Sequence, residues 1–259
     1  MNASGQEGNS VTVCIELDSH GRLTSGQKMM TSRTGKPAKR RTAAAASPRL
    51  LEKRKRVIEV AMRHFAEHGY DGTRIEDIAK ELGFAKGLIF QYFGSKDGLF
   101  LESYKVAVCS LPSYLQAPAE IQKAGFFETV RYWLRKTEHL IAEDWLPYRV
   151  SLLGNYAVNF ELKREITRFL TREDPYGIVP FVQWGLQRKE IRDDIDLEMV
   201  VSILDWTMDR FQDALLTQEL DPGLFRRRSG IPEEKEKRID QFVAILQRAI
   251  GTPGVKSAT

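Results

Sequence analysis

From residue 48 onward the apolar positions recur every three or four residues, almost to the end of the chain. Leu51, Ile58, Ala61 and Phe65 predict a first helix that opens at Pro48 and closes at Gly69. Ile75, Ile78, Ala79 and Leu82 predict a second over about 73–82, with Thr73 as its cap and Glu76 completing a capping box. Gly83 breaks it. A third helix follows over about 85–93, and Ser95 caps a fourth that runs from Lys96 to about Ser110 and ends near Pro112. Beyond Pro118 the same periodicity predicts helices at about 119–143, 146–159, 161–172, 175–189, 196–218 and 232–250, with Pro147, Pro175, Pro222 and Pro232 near their boundaries. Asp193 and Asp194 are the expected caps of the helix at 196. Only Val11–Leu17 alternates as a strand would, and it has no evident partner. The pattern predicts an all-α fold.

Composition sharpens this outline at the N-terminus. All 25 aromatic residues lie beyond residue 64, so residues 1–47, rich in Ser, Thr, Gly, Lys and Arg, are expected to be a disordered basic tail. Met29 and Met30 within it are candidate translation starts. Residues 31–56 hold ten basic side chains and one acid, a net +9 in a chain of net +4, which leaves −5 for the rest. A basic end on a mildly acidic body points to a polyanion partner. No run of 18 apolar residues exists and no signal-like segment opens the chain, so neither a membrane span nor export is expected. Two isolated cysteines, Cys14 and Cys109, suit a reducing cytoplasm. No phosphate-cradling loop, nucleophile elbow or zinc-protease motif occurs, and His20, His64, His68 and His139 form no metal-like set. Enzymatic activity, a cofactor and a metal are therefore not expected.

One segment carries a mechanism. Residues 73–93, TRIEDIAKELGFAKGLIFQYF, are two short helices joined by a turn centred on Gly83, with Ile78, Leu82, Phe84, Ile89 and Phe93 as the apolar faces between them. This is a helix-turn-helix, whose second helix projects its N-terminal residues into the DNA major groove.

Residues 50–102 resemble the DNA-binding domain of the TetR (tetracycline-repressor-like) family of transcription regulators. Phe65, Gly69, Tyr70, Thr73, Ile75, Ile78, Ala79, Gly83, Lys86, Gly87, Tyr92, Phe93, Lys96 and Leu99 stand where the family pattern places them. The resemblance implies that Thr73 donates to a phosphate as well as capping, and that Arg74 lies beside it on the DNA side. Lys86 and Gly87 would open the recognition helix at the bases, while Tyr92 and Lys96 would contact phosphates. Ala85, Leu88 and Phe90 replace hydroxyl residues common in the family, so Leu88 is left to meet a thymine methyl and Gln91 an adenine or a phosphate. The arm Lys39, Arg40 and Arg41 would lie in the minor groove or act as a non-specific electrostatic tail.

The resemblance also implies a homodimer reading a (pseudo)palindromic double-stranded DNA operator, with a small-molecule inducer that releases it. Leu204, Met208, Phe211, Leu215, Phe242 and Leu246 form stripes on the last two helices and are the expected dimer interface. Trp133, Tyr156, Phe181 and Trp184 are the expected walls of a pocket for an apolar or aromatic ligand. The expected organisation is 1–47 tail, 48–95 helix-turn-helix domain, 96–251 ligand-binding and dimerisation domain, and 252–259 tail. Two other readings remain open on the residues alone: a DNA-binding architectural protein without inducer, and a helical-bundle enzyme or small-molecule binding module.

Overall fold

The computed structural model describes residues 15–17, 23–25, 48–114, 116–217, 220, 223 and 232–254. The body is all-α, as the periodicity predicts. Four helices lead: α1 (Pro48–Gly72), α2 (Ile75–Leu82), α3 (Lys86–Phe93) and α4 (Lys96–Tyr114). Seven more follow: α5 (Ala119–Ala124), α6 (Phe126–Glu143), α7 (Trp145–Tyr156), α8 (Phe160–Glu173), α9 (Ile178–Gln187), α10 (Leu197–Leu216) and α11 (Pro232–Ile250). In the N-terminal segment β1 (Ile15–Leu17) pairs antiparallel with β2 (Leu23–Ser25), Glu16 opposite Thr24. The weakly alternating run therefore has a partner after all, supplied by the Leu23–Ser25 segment that periodicity did not single out.

Three local departures have clear causes. α1 breaks at Gly69, so its last turn is a separate piece. The helix expected over 119–143 is two helices, divided at Gly125, whose φ 120° and ψ −175° are not helical, and Glu190 reaches across from beyond α9 to accept the Phe126 N–H at 2.5 Å at the start of α6. The cap of α10 is Asp196, which accepts from Met199 N at 3.1 Å, while Asp194 is drawn into an ion pair with Arg192. At the C-terminus the expected tail begins at 252, yet Thr252 N–H donates to Glu190 O at 2.9 Å, and Ile191 bridges Gly251.

Two buried clusters build the core. The first joins Phe65, Ile78, Ile89, Leu99 and Phe100 to Val150 of α7 and Ile166 of α8. Phe100 packs edge-on against Phe65 at 4.9 Å and against Tyr70 at 5.3 Å. Each such side chain, fully buried, contributes about 1.5–3 kcal/mol. The division expected at residue 95 thus falls inside one continuous core, with α4 shared by both sides. The second cluster unites α6, α9, α10 and α11 around Phe126, Val182, Leu204, Val243 and Ile250. Among the described residues no helix is long and apolar enough to cross a membrane.

Candidate DNA-reading and effector sites

α2 ends in a Schellman turn. Phe84 N–H donates to Ala79 O at 2.9 Å and Gly83 N–H to Lys80 O at 3.2 Å. Gly83 holds φ 66° and ψ 30°, a left-handed conformation that glycine adopts without strain. The turn aims α3 away from α2, and buried Ile89 locks its inner face to the core. Ala85 stands extended at the start of α3 and offers no side-chain cap, so the first amides of α3 stay open to a partner.

The outer face of α3 carries the expected DNA residues. Lys86, Gly87 and Gln91 are exposed, and Leu88 and Tyr92 are half-buried. A Cβ built on Gly87 meets nothing within 4 Å, so packing within the described protein places no demand for glycine there. Lys86 Nζ folds back onto Glu76 of α2 and lies 5.3 Å above the Phe90 ring. That hydrogen bond, with the Lys86 charge, holds the Glu76 carboxyl below its usual range. Tyr92 rests edge-on against Phe93, and no described residue accepts its hydroxyl. Lys96 opens α4 beneath Ser95, which caps it through Gly98 N at 3.0 Å. Its ammonium donates to Asp71 O at 3.2 Å and sits 4.7 Å from the Tyr70 ring centre. Arg74 is exposed at the N-cap of α2. Lys39, Arg40 and Arg41 lie outside the described residues. Sequence reasoning placed Lys53 and Arg56 only in a charge run. Both lie over the Phe84 ring, at 5.8 and 5.9 Å, and so carry positive charge to the start of α3.

Thr73 departs from expectation. It is 2% exposed and does not cap α2. Its hydroxyl donates inward, to Gly69 O at 2.7 Å or His64 O at 3.0 Å, and latches the end of α1 beneath the start of α2. Thr73→Val is expected to destabilise the fold by about 1–2 kcal/mol, since the hydroxyl's partners lose a donor in a buried place. Urea unfolding tests this through a lower midpoint at unchanged slope. Weaker DNA binding at unchanged stability would restore the phosphate role.

The expected aromatic pocket is filled by its own walls. Phe181 stacks on Phe126 at 4.2 Å, with Trp133 at 4.4 Å and Trp184 at 5.7 Å, and Phe126, Phe181 and Trp184 belong to the second core. Only the Trp133 indole N–H is left over, buried without a hydrogen-bond partner. Tyr156 stands apart on α7. Its hydroxyl donates to Asp213 of α10 at 2.6 Å, and Tyr148 donates to the same carboxylate at 2.9 Å.

Those two bonds bridge the seam between the two cores, and the α10 side of the seam is acidic. Asp205, Asp209 and Asp213 recur four residues apart on α10, on a different face from Val200, Leu204 and Leu215. Burial, reinforced by Asp205 and Asp213, pushes the Asp209 carboxyl up to about 7. Burial also raises Asp205 and Asp213 and lowers the Lys163 ammonium of α8. Asp209 nonetheless keeps exposed surface, so protein atoms crowd around it without covering it. The four-residue spacing of acids within an apolar helix was the readable signal for this stripe.

The expected dimer residues divide. Leu204, Leu215 and Leu246 are buried in the protomer's own core. Met208, Phe211 and Phe242 are half-buried, with the last two rings stacked at 4.0 Å. Among the described residues, the large apolar side chains left exposed on these helices are Met199 (50%) and Trp206 (63%) on α10 and Ile245 (62%) on α11.

An exposed recognition helix held by a glycine turn, on a body of long helices, defines a helix-turn-helix DNA-binding regulator. Residues 57–103 match the family "Bacterial regulatory proteins, tetR family". Over 182 residues, 70% of this chain and 92% of the relative, the sequence is 25% identical to the HTH-type transcriptional repressor AcnR of Corynebacterium efficiens. The fold is similar to that of the fatty acid degradation regulator FadR of Bacillus halodurans, with TM-score 0.54, 17% identity and coverage of 78% and 99%. It is equally similar to FadR of Bacillus subtilis solved in complex with stearoyl-CoA, with TM-score 0.55, 20% identity and coverage of 78% and 99%. Residues 57–103 thus carry the DNA-binding domain of the TetR family, and the rest of the chain is similar in fold to regulators that bear it.

Proposed function

We propose that the protein is a homodimeric repressor that binds a (pseudo)palindromic operator through α3 and is released by a small molecule held in the helical body. The observation that carries this reading is the outer face of α3. Lys86, Gly87, Gln91 and Tyr92 stand on it with little or no structural duty inside the described protein, while Ile89 and Phe93 fix the helix from behind. In this reading Arg74, Lys96 and the Lys39–Arg41 arm hold the phosphate backbone, and Leu88 contributes apolar contact in the groove. Thr73 supports the motif from inside.

A mechanical link joins α3 to the body. Arg54 of α1 donates to Glu102 of α4 at 2.7 Å, and its guanidinium lies 5.0 Å from the Phe93 ring at the end of α3. Glu102 also accepts from Lys105 at 2.8 Å. Two residues beyond Glu102, Tyr104 of α4 is buried in the first core, against Gly154 of α7. A ligand that shifts α4 therefore also shifts the recognition helix. The coupling needed for release is about 1–3 kcal/mol, as is typical of such switches.

The test is DNA binding by the purified protein to the promoter region beside its own gene, titrated with salt against unrelated competitor DNA. Selective, salt-weakened binding is expected. Lys86→Ala and Tyr92→Phe should each weaken it, Tyr92→Phe by about 1 kcal/mol for one hydrogen bond. Equal binding to all DNA, or no effect of either substitution, would overturn the reading.

A further inference from the structure

The centre of the reading face of α3 is uncharged. Ile89 and Phe93 pack into the first core and mark the inner side of the helix. At about 3.6 residues per turn, this sets Gly87 and Gln91 at the middle of the opposite side. Leu88 and Phe90 flank them, one on each side, and Lys86 and Tyr92 stand at the margins. Neither Leu88 nor Phe90 belongs to either buried cluster. Apart from Leu50 at the start of α1, Phe90 is the one large apolar side chain that α1 to α4 leave exposed among the described residues. The helix holds no arginine and no acid. Its one cation, Lys86, donates to Glu76 of α2 and lies 5.3 Å from the Phe90 ring centre, so the ammonium is drawn off the face toward α2.

Each base presents a different edge in the major groove. Guanine suits a bidentate Arg or Lys, cytosine a carboxylate, adenine an Asn or Gln amide, and thymine an apolar surface against its C5 methyl group. The middle of α3 supplies the last two and neither of the first two. Gln91 carries the amide, Leu88 and Phe90 the apolar surface. At Gly87 a Cβ would meet nothing within 4 Å, and its absence lets the backbone come close to the base edges. The exposed Lys86–Glu76 pair is weak, so Lys86 can exchange Glu76 for a phosphate. Its place at the margin of the helix is what keeps it from the base edges.

We infer that the operator core read by α3 consists of A·T pairs, recognised through thymine C5 methyl groups by Leu88 and Phe90 and through adenine by Gln91, with Lys86 left to the phosphates. This rests on the reading of α3 as the recognition helix and names the class of base pair that it reads. Each methyl group buried against Leu88 or Phe90 is worth about fourfold in affinity, the transfer of one carbon out of water.

Selection of a random pool of double-stranded DNA on the full-length protein gives the site it reads. That site is then synthesised with deoxyuridine in place of thymine, which removes the C5 methyl groups from the major groove and leaves the hydrogen-bonding edges intact. The selected half-sites are expected to have A·T pairs at their centre, and the uracil duplex to bind about fourfold more weakly for each methyl group in contact. Leu88→Ala combined with Phe90→Ala should weaken binding to the thymine duplex and bind the thymine and uracil duplexes alike, which separates methyl contact from a change in DNA shape. Lys86→Ala should weaken binding to both duplexes by the same factor. Circular dichroism checks that the variants fold, and Phe90→Ser alone serves if the double variant does not. G·C pairs at the centre, equal affinity of the unsubstituted protein for the two duplexes, or a double variant that still prefers thymine overturns the inference and leaves the regulator reading in place. Enrichment of no sequence at all overturns the regulator reading, and the inference with it.

Discussion

On the proposed dimer, Trp206→Asp combined with Ile245→Asp is expected to leave a folded monomer that binds the operator about 10²–10⁴ times more weakly than the unsubstituted protein, because the second half-site loses its local concentration. The helical faces explain why these two positions are chosen. α10 is used on three sides at once. Val200, Leu204 and Leu215 pack into the second core, Asp205, Asp209 and Asp213 border the seam, and Met199 and Trp206 point to solvent. On α11, Ile239, Val243, Leu246 and Ile250 are buried, while Ile245 is 62% exposed. An indole that exposed offers a large apolar area on which a second copy can close symmetrically. Light scattering would report the monomer and a band-shift titration the affinity. Leu204→Asp is the contrasting control. Leu204 is 1% exposed, so a charge there should unfold the protomer rather than only split the pair. A dimer of native operator affinity in the double variant would remove this face from the interface.

The contrast shows where the sequence was legible and where it stopped being so. Periodicity located every long helix, and local chemistry located the turn that matters most, because Gly83 and the Ser95 cap act through bonds to neighbours a few residues away. It misjudged features set by distant contacts. Glu190 caps the start of α6 from 64 residues away. Thr73 has the spacing of a capping residue, yet the bend at Gly69 brings two carbonyls within its reach and turns it inward. A stripe of Leu204, Met208, Phe211 and Leu215 announces an apolar face but not whether that face meets its own chain or a copy. Aromatic abundance likewise does not distinguish rings that line a space from rings that fill it, and Phe126, Trp133, Phe181 and Trp184 fill it. The bridge between the cores escaped notice because Tyr148 and Tyr156 lie 65 and 57 residues from Asp213, and only folding brings them together.

Gly87→Leu is expected to move stability and DNA binding in opposite directions. Gly87 lies in the first turn of α3, and the space its side chain would enter is empty of protein. Any residue with a Cβ should therefore be accepted by the fold, and replacing glycine within a helix should stabilise it by up to about 0.5–1 kcal/mol. If the fold does not require glycine here, the requirement comes from what approaches α3 from outside. A leucine side chain would hold the helix off the base edges and cost about 1–3 kcal/mol, or roughly 5–150-fold in operator affinity. Non-specific binding should be affected less, because Arg74, Lys96 and the basic arm would still reach phosphates. Gly87→Ala should fall between, with most of the gain in stability and a smaller loss of affinity. Thermal unfolding and a salt-controlled operator titration on the same samples give both quantities. A variant that melts higher and still binds the operator with native affinity would show that α3 does not enter the groove by its N-terminal turn. A variant that melts lower would mean that Gly87 is required by the protein's own packing.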